Sequence, residues 1–137
     1  MSSSQSREVR RFFRATEERF KEAQFLLKHD FTTAAVYLAG YAVECALKAL
    51  ILSSEPASRH QDTLGSFRGA KAHDFDWLRN ELQRRKVPLP QMILRQLKNL
   101  TWWTTDLRYK PGQTNEEAAT DFLTTADSLA HWVKGKL

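Results

Sequence analysis

Cysteine, glycine and proline are scarce in this chain of 137 residues, and each shortage excludes a class of fold or site. The single cysteine, Cys45, permits neither an intramolecular disulfide nor a zinc site built from several cysteines. Five glycines and four prolines disfavour the many turns of a β-sandwich or barrel. The shortage of turn-forming residues therefore predicts a fold made of long helices.

The common catalytic motifs are also missing. The sequence contains no glycine-rich phosphate loop, no Gly-x-Ser-x-Gly and no His-Glu-x-x-His. Its four histidines are scattered, and no two of them are four residues apart. We therefore expect no metal site and no cofactor. The first residues lack the apolar core of a signal peptide, so a cytoplasmic location is the default expectation.

Apolar residues recur at helical spacing in five segments, which together predict an all-α, up-and-down antiparallel bundle of four to five helices. The predicted helices cover roughly 6–29, 31–53, 75–86, 91–104 and 115–134. Asp30 and Asp74 are expected to cap the second and third helices, and Thr114 with Glu117 forms a capping box before the last. Residues 54–73 are predicted to be a polar connection without helix. Residues 1–6 are expected to be a flexible tail on a single domain, 7–137.

The second predicted helix is the most distinctive segment. It is apolar nearly all round and long enough on paper to cross a bilayer, but it contains Glu44 and Lys48. We interpret it as a buried helix at the centre of the bundle. Glu44 and Lys48 are four residues apart, in the order that favours an ion pair. This buried polar pair is either a packing and specificity device, which we favour, or part of a ligand site.

Positive charge is concentrated in the middle of the sequence. Residues 59–98 hold nine basic and four acidic residues, an excess equal to the net charge of +5 of the whole chain. Such an excess, which includes Arg84 and Arg85, either attracts phosphates or is a solvated surface with nothing bound. Near Arg108 and Tyr109, the aromatic residues Trp102 and Trp103 either stack on a base or fill the core or a dimer face. For the tryptophans we favour burial.

Three segments together resemble the HEPN family, the "higher eukaryotes and prokaryotes nucleotide-binding" domain. The second helix contains AVECALKA, residues 42–49, which is similar to the family pattern A-x-E-x-A-L-K-A. His73-Asp74 opens the third helix, and Arg108-Tyr109 with Pro111 precedes the last, in the family's order and spacing. The resemblance covers nearly the whole chain. It implies a helical bundle, frequently homodimeric, that in some members is a metal-independent ribonuclease and in others a binding module or a partner of a small nucleotidyltransferase.

The sequence departs from the family's nuclease pattern, R-x4–6-H. Arg108 matches the arginine of that pattern, but positions 113–115 are Gln113, Thr114 and Asn115. None of these side chains acts as a general base near neutral pH. A literal R-x4-H occurs at Arg68 and His73, but in a chain with this many arginines one such match is expected by chance. We therefore assign no catalytic residues and lean towards a protein without enzymatic activity.

The resemblance and the missing histidine lead to one expectation with two alternatives. We expect a non-catalytic, homodimeric domain that binds nucleotide, RNA or a nucleotidyltransferase partner, in a toxin–antitoxin-like accessory role. The alternatives are a ribonuclease toxin with a displaced active site and a purely structural interaction domain. The residues expected to bind the nucleotide or RNA are Arg108, Tyr109, Lys110, Arg84, Arg85 and His73.

Overall fold

The computed structural model describes residues 6–137, and within that range the chain forms six α-helices and no β-strand. The helices are α1 (Arg7–Lys28), α2 (Thr32–Ser53), α3 (His60–Ser66), α4 (Phe75–Arg84), α5 (Gln91–Asn99) and α6 (Glu116–Lys136). Three 3₁₀ turns lie between them, at Ala57–Arg59, Ala70–His73 and Thr105–Tyr109. The predicted all-α bundle is confirmed. Of the predicted tail, residues 1–5 lie outside the described range, and Ser6 accepts a hydrogen bond from the backbone of Val9 as the N-cap of α1.

Helix α2 lies at the centre of the bundle, as its apolar circumference predicts. It packs along α1 and also contacts α4 and α6. By length and composition alone it could cross a membrane, but 78% of its most apolar window is buried against the other helices. A buried hydrogen bond of 3.0 Å from the hydroxyl of Thr16 to the carbonyl of Ala42 ties α1 to α2. The core of the protein is therefore organised around α2.

The prediction of an unstructured connection over 54–73 is wrong. This segment contains α3 and two 3₁₀ turns, and His60 and Thr63 of α3 are buried. The ring nitrogen Nε2 of His60 lies 2.7 Å from the carbonyl oxygen of Leu52 in the last turn of α2. Because helix ends leave carbonyls unpaired, the imidazole completes α2 and holds the segment against it. A short polar helix has little apolar periodicity, which is why the sequence did not indicate it.

Two predicted helix caps are wrong and one is confirmed. Asp30 has a positive φ of 68° and lies in the turn, while Phe31 occupies the N-cap position of α2 without a side-chain bond. At α6 the N-cap is Asn115, whose side chain accepts from Ala118, and Thr114 bonds elsewhere. Asp74 caps α4 as predicted, by accepting from the backbone of the first turn. Both errors are shifts of one residue, the amount by which assigned helix ends commonly differ.

Trp103 is part of the core. Its ring stacks on Phe75 with centroids 5.2 Å apart, and its Nε1 donates a 3.1 Å hydrogen bond to the carbonyl of Tyr37. It lies directly against Gly40 of α2, where a side chain would overlap the indole. The favoured interpretation of the tryptophans as buried is confirmed for Trp103, while Trp102 remains 46% exposed.

Candidate functional site

A chain of hydrogen-bonded polar side chains runs outward from the core at α2. The ammonium of Lys48 lies 2.7 Å from one carboxylate oxygen of Glu44, and both side chains are almost fully buried. The other oxygen of Glu44 lies 2.8 Å from Nδ1 of His73. The predicted pair is therefore three residues, Lys48, Glu44 and His73, of which only His73 reaches the surface, with 38% of its side chain exposed. Because both of its oxygens have a partner, the carboxylate of Glu44 is better compensated for its burial than it would be in a pair with Lys48 alone.

His73 is positioned by the backbone on both sides of it. It ends the 3₁₀ turn Ala70–His73, and the cap formed by Asp74 starts α4 immediately after it. The carboxylate of Glu44 fixes the orientation of the ring, because a bond at Nδ1 determines where Nε2 points. The ring also meets Tyr41 edge-on, with centroids 6.0 Å apart. A histidine oriented by a carboxylate can hold or transfer a proton.

Two tyrosines of α2 continue the polar surface from His73. The phenol oxygens of Tyr37 and Tyr41 are 3.3 Å apart. Burial is the main cause that raises the pKa of Tyr41, and the bond to Tyr37 and the nearby charge of Glu44 add to it. Tyr41 is therefore protonated at neutral pH and can donate a hydrogen bond. Neither tyrosine was assigned from the sequence to the site, although both lie on the helical face that carries Glu44, at i, i+4 and i+7.

Arg108 lies close to Tyr37. The 3₁₀ turn Thr105–Tyr109, capped by the hydroxyl of Thr104, carries Arg108 and packs against α2. The phenol groups of Tyr109 and then Tyr37 raise the pKa of Arg108, and its guanidinium stacks over the ring of Tyr109 at 4.7 Å. Arg108 also lowers the pKa of Tyr41 slightly, against the larger effect of burial. The structure thus brings both Arg108 and His73 near Tyr41.

The residues at the positions expected for a nuclease histidine have structural roles. The side-chain oxygen of Gln113 lies 3.3 Å from the hydroxyl of Thr32 and 3.5 Å from the backbone nitrogen of Thr33. The hydroxyl of Thr114 lies 2.9 Å from that of Thr33. These bonds satisfy the start of α2, which has no side-chain cap of its own. The loop before α6 therefore fastens α2 and supplies no base beside Arg108.

A cleft of about 400 Å³ opens beside this cluster. Its lining includes His73, Trp103 and the start of the turn that carries Arg108. The remaining lining residues include three aspartates, Asp74, Asp76 and Asp106. A cleft of this size holds a small ligand. Hydrogen-bond acceptors line its walls, and the arginine lies on the adjoining turn.

The other predicted site residues lie apart from this cluster. Arg84 and Arg85, at the far end of α4, both bind Glu81, and Arg85 also approaches Glu55 at 3.5 Å. Arg85 is largely buried by these contacts, so its role in the structure is to hold α4. Tyr109 is 72% exposed, and Lys110, which follows it, is exposed too. Arg84 and Arg85 thus do not share a face with Arg108, whereas His73 does.

Among residues 6–137 no group of three or more potential ligands is arranged to hold a metal ion. The thiol of Cys45 is not a candidate nucleophile, because burial raises its pKa to about 11 and leaves it protonated. The cluster thus presents the guanidinium of Arg108 and the imidazole of His73, which is held by the carboxylate of Glu44.

The comparison with known families agrees with this geometry. The model of the HEPN domain family matches residues 9–136, nearly the whole chain. No curated protein sequence and no solved structure matches the chain. The match covers every helix that contributes to the cluster, including α2 with Glu44 and Lys48 and the turn with Arg108. The chain belongs to the HEPN domain family.

Proposed function

We propose that the protein binds a nucleotide or the nucleotides of an RNA strand at the cluster formed by Arg108, Tyr37, Tyr41 and His73. The single observation that carries the proposal is the hydrogen bond of 2.8 Å by which Glu44 holds His73 edge-on against Tyr41, next to the turn that carries Arg108. An exposed guanidinium fits a phosphate by paired charge-assisted hydrogen bonds. The protonated phenol of Tyr41 supplies a further donor beside it.

The adjoining cleft supports a nucleotide over a simple inorganic anion. Its acceptors, which include the carboxylates of Asp74 and Asp106, repel a phosphate but accept hydrogen bonds from the amino groups of a base. We infer that the base enters the cleft while the phosphate stays with Arg108. The engagement of Gln113 and Thr114 with α2 supports a role that does not depend on nuclease activity.

Replacing Arg108 by glutamine is expected to weaken ATP binding about tenfold, because one charge-assisted contact is lost. The matched control is Arg95→Gln, which removes one exposed charge from α5, an element that contributes nothing to the cluster. Titration calorimetry of ATP into both variants and the unaltered protein measures the difference. Equal affinity of the two variants, or no binding by the unaltered protein, would refute the proposal.

A ribonuclease is the second candidate, and the bond between His73 and Glu44 is the observation that favours it. A histidine oriented by a carboxylate can accept the proton of a 2′-hydroxyl, with Arg108 stabilising the phosphate. The cleavage assay uses labelled RNA without added metal. The binding proposal expects no cleavage above background. Cleavage that disappears in His73→Gln and in Arg108→Gln would establish the enzyme instead.

We also propose that the protein forms a homodimer, for which Trp102 provides the support. Its indole is 46% exposed and packs edge-on against Phe122 of α6. Trp103, which was also considered for the interface, is used in the core. Sedimentation at micromolar concentration is expected to show a species of twice the 15.9 kDa chain mass, and Trp102→Asp to shift it to the monomer. A single monomeric species in the unaltered protein would contradict the dimer and leave a nucleotidyltransferase as the partner to test.

A further inference from the structure

Four arginines form a stripe along the first two turns of α1. Arg7, Arg10, Arg11 and Arg14 follow the spacing i, i+3, i+4, i+7, and all four are exposed. The buried residues of the same turns, Val9 and Phe13, lie on the opposite side of the helix. The stripe therefore faces away from the bundle. With Glu8, this segment has a net charge of +3.

The position of the arginine stripe is unfavourable for the stability of the helix. The N-terminal end of a helix carries a partial positive charge, so cations there are repelled. The spacing also places like charges three and four residues apart, which destabilises a helix further. Arg14 has a compensating ion pair, with Glu18 at 3.0 Å. Glu17 lies 3.4 Å from Lys134 of α6, and Glu8 approaches His60. An arrangement that opposes local stability is expected where a surface serves binding.

The arginine stripe and the nucleotide cluster lie near different ends of α2. The start of α1 adjoins the end of α2, because Glu8 approaches His60, which bonds the carbonyl of Leu52. Tyr37 of the cluster is fifteen residues earlier, about 22 Å along the helix axis. A mononucleotide at Arg108 therefore cannot reach the stripe, and a ligand of the stripe is a separate or much longer molecule.

We propose that the arginine stripe binds the phosphodiester backbone of a nucleic acid. Its arginines extend over about 10 Å of helix axis, and the phosphates of a strand recur every ~3.4 Å of duplex axis, so several can be contacted. The planar guanidinium matches the phosphate geometry better than the point charge of lysine, and residues 7–14 contain no lysine. No apolar side chain is exposed within the stripe, whereas protein interfaces have an apolar centre. This favours a nucleic acid over an acidic protein.

The test compares two variants that each lose four positive charges. The stripe variant carries Arg7→Gln, Arg10→Gln, Arg11→Gln and Arg14→Gln. The control carries Lys28→Gln, Arg95→Gln, Lys98→Gln and Lys136→Gln. These residues are exposed and lie in α1, α5 and α6. All except Arg95 lie in the last turn of their helix. Both sets keep good helix formers, so both variants are expected to fold. The probes are a single-stranded RNA oligonucleotide, DNA of the same sequence, and polyglutamate.

The stripe variant is expected to bind RNA at least about tenfold more weakly at low salt, and the slope of log K against log salt is expected to fall by roughly two to three. Its melting temperature is expected to rise, because repulsion at the start of α1 is removed, whereas that of the control does not rise. DNA bound as tightly as RNA identifies the backbone as the ligand, and tighter RNA binding adds a contact to the 2′-hydroxyl.

Three results would overturn the proposal: equal RNA losses in the two variants, an unchanged salt slope in the stripe variant, or polyglutamate bound as tightly as RNA. ATP affinity separates this proposal from that for Arg108. It is expected to be unchanged in the stripe variant, so loss of one binding activity does not imply loss of the other.

Discussion

Substitution of Gly40 by alanine is expected to lower the free energy of unfolding by about 3 kcal/mol, the upper part of the range for overpacked cores. In most helices this change is stabilising, because alanine is the better helix former. Here the added methyl would overlap the indole of Trp103. The indole cannot move freely, since it stacks on Phe75 and bonds the carbonyl of Tyr37.

Gly135→Ala is the matched control for this substitution. Gly135 lies in α6, and a side chain there would meet nothing within 4 Å. We expect no loss of stability and a gain of a few tenths of a kcal/mol. Urea unfolding of both variants measures the comparison. If the Gly40→Ala variant were as stable as the Gly135→Ala variant, the close packing of Trp103 against α2 would be contradicted.

Because Trp103 also contacts Tyr41, the Gly40→Ala variant is expected to lose ATP binding as well.

The second large effect is expected from Glu44→Ala, which should cost about 3–5 kcal/mol. The substitution leaves the ammonium of Lys48 buried without its partner and releases His73. Lys48 also lies over the ring of Phe67, 5.1 Å away, a contact that compensates only part of the lost interaction. The loss of stability in Glu44→Ala therefore results mainly from the buried charge of Lys48, which is left without compensation.

Two further variants separate this explanation from a simple loss of packing. Glu44→Leu combined with Lys48→Met removes both charges and is expected to be far less destabilised than Glu44→Ala. Glu18→Ala breaks the exposed pair with Arg14 and is expected to cost less than about 1 kcal/mol. Denaturant unfolding at pH 7 measures all three. A double variant as unstable as Glu44→Ala would show that the charges themselves are not the cause.

The fold and the family were predictable because they depend on patterns that are local in the chain. The apolar circumference of α2 predicts its central position, and the pair Glu44 and Lys48 is visible as an i, i+4 spacing on that helix. The resemblance of residues 42–49, 73–74 and 108–111 to the HEPN family agrees with the match over residues 9–136. The arginine stripe was equally visible as a spacing, but the charge of residues 1–30 taken together is only +2, since later acidic residues offset it.

The site depended on contacts between distant parts of the chain. His73 is separated by 29 residues from Glu44, and nothing in the spacing of the sequence indicates that the two are bonded. Gln113 is 81 residues from Thr32, so its role at the start of α2 was also invisible. The segment 54–73 illustrates the same limit, since α3 is held by the bond from His60 to the end of α2 rather than by its own apolar pattern.

By itself, the sequence determined an all-α HEPN bundle with α2 at its centre and a nuclease motif without its histidine, because helical periodicity and short motifs are properties of neighbouring residues. The tertiary structure alone decided that His73 joins Glu44, that Arg108 lies near the tyrosines of α2 and that Arg85 is held in ion pairs at the end of α4. Those outcomes depend on how the helices pack, since packing determines which distant side chains can satisfy a buried charge.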